Sequence, residues 1–152
     1  APALFNAIAD AALTKLDGFK PQELANILWA YVKAGVEASD LFNAIAAAAM
    51  KKLDSFKPQE LASTLWVYVE AGVEHEALLK EIALKFKNYA EMDLIDLDFN
   101  QLLDAYVASP FLQTQDEFFN DIIKIHRKVL AKHRTLCVQY INEKKGTKSA
   151  QL

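Results

Sequence analysis

Residues 4–40 and 41–77 are two copies of one 37-residue string. LFNAIADAALTKLDGFKPQELANILWAYVKAGVEASD runs without a gap into LFNAIAAAAMKKLDSFKPQELASTLWVYVEAGVEHEA, and 26 of the 37 positions are identical. A repeat of this length is one supersecondary unit. It cannot bury both of its faces alone, so neighbouring units must cover them. That restricts the chain to architectures made by adding units side by side.

Each unit reads as helix, turn, helix. In the first helix, Leu4, Phe5, Ile8, Ala9, Ala12, Leu13 and Leu16 recur at spacings of three and four, which predicts a helix from Leu4 to Leu16. Gly18 follows as a stop signal and is Ser55 in the second copy. Pro21 then suits a first helical position, where a missing N–H costs nothing. Phe19 and Leu24 have the spacing of a hydrophobic staple, and Glu23 stands where a carboxylate reaches back to an orphan N–H. The second helix buries Leu24, Leu28, Tyr31 and Val32 and stops at Gly35, with Val36 as the apolar residue after the stop.

A third, degenerate unit starts at Leu78. Leu78, Ile82 and Phe86 keep the first stripe, and Ala105-Tyr106-Val107 matches Ala30-Tyr31-Val32 after one inserted residue. The Pro-Gln-Glu turn gives way to the acidic run Glu91 to Asp98, and Pro110 replaces the glycine stop. Phe118-Phe119-Asn120 opens a fourth half-unit, which leads into a basic helix, continuous or broken near His133. The expected fold is all-α, an α-solenoid of stacked two-helix repeats in one domain, 1–152. It comprises repeat 1 at 4–40, repeat 2 at 41–77, a degenerate repeat at 78–115, a basic helical cap at 116–145 and a frayed tail at 146–152. The N-terminal unit shows no cap. The chain begins Ala1-Pro2-Ala3, so it reads as processed or as part of a longer one, with further repeats expected ahead of Ala1.

Composition removes several function classes. With 53% hydrophobic residues the core needs neither disulfide nor metal, and Cys137, the one cysteine, permits no internal bridge. No apolar run approaches the length that spans a bilayer. The net charge of −3 argues against nucleic acid, but its distribution is uneven. Asn88 to Asp121 holds eight acids and no Lys or Arg, while Ile122 to Leu152 holds eight bases against Glu143. Residues 1–77 carry six lysines against ten acids.

The strings Pro21-Gln-Glu-Leu-Ala-Asn-Ile-Leu-Trp-Ala30 and Pro58-Gln-Glu-Leu-Ala-Ser-Thr-Leu-Trp-Val67 resemble the signature of the octotricopeptide repeats, and the 37-residue period is nearer to their heptatricopeptide relatives. The resemblance is strong over 4–77, weak over 78–110 and absent from the tail. It implies helical hairpins wound into a right-handed stack. It also implies a nuclear-encoded protein of the chloroplast or mitochondrion that binds organellar RNA, single-stranded or ribosomal. The nuclease-like C-terminal domain that many such proteins carry is not seen.

Modular readers present a few polar side chains per repeat to each base. The candidates are exposed polar positions: Asn6, Asn43 and Lys80, then Thr14, Lys51 and Asn88, on the first helices, and Asn26, Ser63 and Gln101 on the second. Lys15 and Lys52 are candidates for phosphates, as are Lys124, Arg127, Lys128, Lys132 and Arg134 in the basic tail. For any single repeat position a solvated amphipathic face is the favoured reading, and the reversal of Lys33 to Glu70 argues against a uniform phosphate track. Trp29 and Trp66 suit base stacking, but their identical placement favours packing between units.

Other patterns lack partners. Asp96-x-Asp98-x-Asn100 begins like a calcium loop, but Gln101 and Val107 stand where Gly and Glu are required, so these acids read as helix caps. His75-Glu76 lacks the second histidine of a zinc motif, and His126 and His133 lack a Cys or acid partner. Cys137 reads as part of the stripe Leu136, Cys137, Tyr140, Ile141. No catalytic residue, metal, cofactor or small-molecule substrate is expected. The leading expectation is RNA binding. Its rival is a protein scaffold, a subunit of a large organellar complex, and the acidic balance of 1–77 favours that rival.

Overall fold

The computed structural model describes residues 2–151, and among them every regular element is helical. The α-helices are α1 (Pro2–Leu13), α2 (Pro21–Ala34), α3 (Ser39–Met50), α4 (Pro58–Ala71), α5 (Glu76–Lys85), α6 (Phe99–Ala108), α7 (Pro110–Gln113) and α8 (Asp116–Gln151). Short 3-10 turns at Leu16–Gly18, Leu53–Ser55 and Glu91–Leu94 join first helices to second ones. The chain is all-α. The first helix of each unit packs on the next first helix, α1 on α3 and α3 on α5. The second helices do likewise, α2 on α4 and α4 on α6.

Local signals explain the element ends. The carboxylates of Glu23 and Glu60 accept from the backbone N–H of Lys20 and Lys57 at 2.9 and 2.8 Å, which satisfies a donor that the helix leaves orphaned. At the other end Gly35 and Gly72 adopt φ of 66° and 69°. Their N–H groups donate to Val32 and Val69, and the following valines donate to Tyr31 and Tyr68, all at 3.1 Å. This paired bonding is the Schellman arrangement, and it needs a left-handed residue. Gly72→Ala is expected to cost about 1–2 kcal/mol in urea unfolding, because Cβ destabilises the left-handed region.

Gly18 corrects one expectation. It is not a left-handed stop: α1 ends at Leu13, and Gly18 closes a 3-10 turn without positive φ. A Cβ there meets nothing within 4 Å, which is why Ser55 fits the same position.

In each of the first two units one tyrosine ties the second helix to the first. Tyr31 Oη donates to the Phe5 carbonyl and Tyr68 Oη to the Phe42 carbonyl, both at 2.5 Å. Burial pushes the Tyr68 phenol far above its ordinary 10.0. Its folded form therefore keeps a proton that the unfolded chain releases above about pH 10. The resulting stability is fully present below that pH and is lost as pH rises toward the folded value. Tyr68→Phe should flatten this alkaline decline by one proton's worth of slope. At neutral pH it should cost about 1–2 kcal/mol for the lost hydrogen bond.

The third unit departs from the first two. Without the Pro-Gln-Glu turn, α6 starts at an Asp98 cap whose carboxylate accepts from Gln101 N–H at 3.3 Å. Pro110 opens α7, and Ser109 caps it by accepting from Leu112 N–H at 3.1 Å. Then comes α8, 36 residues without a break at His133, about 54 Å long at 1.5 Å per residue. Its helical backbone passes the expected end at 145 and reaches Gln151. The last position of the predicted frayed tail, Leu152, lies outside the described residues. Phe118, Ile122, Ile125 and Val129 bury the near half of α8 against the third unit, whereas every residue from His133 to Gly146 is exposed.

Candidate interaction surfaces

The sequence candidates fall on two layers. Asn6, Asn43 and Lys80 are exposed at one register of α1, α3 and α5, and Thr14, Lys51 and Asn88 are exposed near the ends of the same helices. Asn26, Ser63 and Gln101 belong to α2, α4 and α6, the other layer.

Several candidates are committed to internal bonds. Lys52 is half-buried, and its ammonium donates to the carbonyls of Asp17 and Phe19 at 3.1 and 2.8 Å. It therefore fastens the second unit to the turn of the first, with two of its three donors engaged within the protein. Its neighbour Lys51 sits 3.8 Å from the Asp17 carboxylate with both side chains mostly exposed, an ion pair worth little. Thr14 Oγ1 donates back to the Ala11 carbonyl at 2.9 Å. Lys15 stays exposed.

Ser63 and Gln101 are not open either. Gln59 Nε2 donates to Ser63 Oγ at 3.0 Å and to Gln101 Oε1 at 2.9 Å, and Ser63 Oγ donates to the same Gln101 oxygen at 3.0 Å. Gln59 Oε1 in turn accepts from Asp98 N–H at 2.6 Å. This half-buried amide cluster sews α4 to the start of α6. Its hub, Gln59, escapes a search for positions that vary, because Gln22 is identical to it. Asn26 remains exposed.

The basic tail divides in the same way. Lys132 is buried with its ammonium 3.6 Å from Met92 Sδ, and Lys128 donates to the Tyr89 carbonyl. Both point inward to the loop between α5 and α6, which corrects their reading as open phosphate contacts. Lys124, Arg127 and Arg134 face solvent, as do Lys144 and Lys145 farther along α8. His126 stacks on Phe99 with ring centroids 5.0 Å apart.

Asn43 opens onto a cleft of about 440 Å³ that also meets Glu37, Glu70 and Glu74. Three carboxylates beside the amide repel a phosphate. Trp29 and Trp66 neighbour each other across the α2–α4 seam, 6.5 Å between ring centroids, with the Lys33 ammonium 4.5 Å from the Trp29 ring. Their pairing agrees with packing between units.

Large apolar side chains remain open on α1, with Leu4, Ile8 and Leu13, on the far half of α8, with Leu136, Tyr140 and Ile141, and in the third unit, with Met92, Ile95 and Val107. No helix of the described residues is long and apolar enough to cross a membrane. No family model, curated protein or solved structure matches the chain.

Proposed function

We propose that the two-helix units stack as a short α-solenoid that holds other protein chains and carries no catalysis. The octotricopeptide-like strings favour a chloroplast or mitochondrial complex as its setting. The observation that carries the reading is the far half of α8. Leu136 and Tyr140 stand four residues apart, beside Cys137 and Ile141 at the same spacing, so all four share one side of the helix. Each is exposed, and Arg134, Lys144 and Lys145 flank them. An amphipathic helix of this kind lays its apolar side into a groove of a partner. The cations suit an acidic rim around that groove. On the repeats, Ser63, Gln101 and Lys52 serve internal bonds, and the acids beside Asn43 disfavour nucleic acid.

A second reading keeps RNA as the partner, because Lys124, Arg127, Arg134, Lys144 and Lys145 are all exposed on one helix. Five such cations bind phosphates in a strongly salt-dependent way. Two variants of the full-length protein separate the readings: Leu136→Asp with Ile141→Asp, and all five cations changed to Gln. After native purification from its own cells, the protein reading expects stoichiometric partner chains that the first variant loses. Ultraviolet-crosslinked RNA above an untagged control, lost in the second variant and retained in the first, would replace it with the RNA reading.

A further inference from the structure

The first unit gives the same residues surroundings that the second and third do not. Leu4, Leu41 and Leu78 occupy one register, and their exposures are 59%, 1% and 0%. Ile8, Ile45 and Ile82 occupy another, with 44%, 0% and 0%. Ala11 and Ala30 are exposed, while their copies Ala48 and Val67 are buried. The second and third units each have a unit packed ahead of them, α1 on α3 and α3 on α5, and there the Leu and Ile positions are buried. The first unit has the same side chains at the same spacing, uncovered.

The polar fastening repeats too. Lys52 bonds the Asp17 and Phe19 carbonyls of the preceding turn, and its copy Lys15 is exposed on the same side of the first unit. Trp66 meets the preceding Trp29, and Trp29 is itself exposed. We infer that the face of Leu4, Ile8, Ala11, Lys15 and Ala30 is a docking surface for one further helical hairpin of this same 37-residue kind, seated in the register that the first unit uses on the second. Lys15 then donates to the carbonyls of that hairpin's turn, and Trp29 meets its tryptophan.

Head-to-tail addition of a second copy does not fit this face. The other end of the row is closed by α8, whose Phe118, Ile122 and Ile125 are buried against the third unit. Head-to-tail addition of whole chains therefore has no hairpin face to offer. The inference rests on the stacked arrangement proposed above, but not on what α8 binds.

The test joins one extra copy of residues 4–40 directly ahead of Leu4. This longer chain is compared with the 152-residue chain, and with a longer chain in which the original Leu4 and Ile8 carry Leu4→Asp and Ile8→Asp. Those two residues are exposed in the 152-residue chain, so the pair is expected to leave that chain's circular dichroism unchanged. Backbone amides of α1 should gain at least about tenfold in hydrogen-exchange protection in the longer chain, and lose that gain in the Asp variant. An added segment that melts on its own, with α1 exchange unchanged, would overturn the inference. So would dimerisation of the 152-residue chain in sedimentation equilibrium that Leu4→Asp and Ile8→Asp abolish, since the occupant is then a second copy. Amides of α3 and α4 report separately on the stack. If they stay slow while α1 does not change, only the docking inference fails; if they too exchange fast, the stacked arrangement fails with it.

Discussion

Leu41→Ala is expected to remove about 3 kcal/mol from the unfolding free energy, and the same truncation at Leu4 less than about 0.5 kcal/mol. The two leucines occupy identical positions in identical local sequence, Leu-Phe-Asn-Ala-Ile-Ala. Helix propensity and the effect on the unfolded chain therefore cancel almost completely between them. What differs is the environment. Leu41 is 1% exposed, so its truncation forfeits the transfer energy of the lost carbons and leaves a cavity that close-packed neighbours do not fill. Leu4 is 59% exposed and loses only part of a contact already shared with water. Urea unfolding of both variants, followed by far-ultraviolet circular dichroism, measures the pair. Equal losses would mean that α1 is covered in solution, and would redirect attention to self-association.

The second large effect divides α8. Phe118→Ala is expected to cost about 3–4 kcal/mol, because Phe118 is buried where the helix meets the third unit, edge-on to Tyr106 with ring centroids 6.0 Å apart. Ending the chain at His133 is expected to change stability by less than about 0.5 kcal/mol. The exposed residues from 134 to 146 bury almost no apolar area, and a projecting helix contributes little beyond its own marginal propensity. The truncated chain should lose helical ellipticity while keeping its unfolding midpoint. Under the proposed function it should also lose partner binding, since Leu136, Tyr140 and Ile141 leave with the removed segment. A falling midpoint would show that the far half of α8 returns to the repeats.

Much of the fold was legible because its signals are local. Pro21 and Pro58 start helices and Gly35 and Gly72 end them through bonds that span no more than five residues. The third unit was harder to read. Its turn lost the proline and glycine marks, and capping passed to Asp98, an acid the sequence marks as a cap, and to Ser109, which the pattern does not single out. The candidate sites were the least legible. An exposed polar position and a polar position that bonds the next helix have the same look in sequence. Asn26 and Ser63 are copies of each other, yet only Ser63 finds Gln59 and Gln101 beside it.

By itself, then, the sequence determined that this chain is helical, where most helices begin and end, and which side of each is apolar. Those properties depend on residues within a turn or two of each other. Tertiary structure alone decided which apolar sides are covered and which lysines are free. Lys15 and Lys52, like Leu4 and Leu41, occupy the same position of the repeat and have different neighbours across space. Burial and hydrogen bonding are set by whatever lies against a side chain, and that neighbour is not among the residues a turn or two away in sequence.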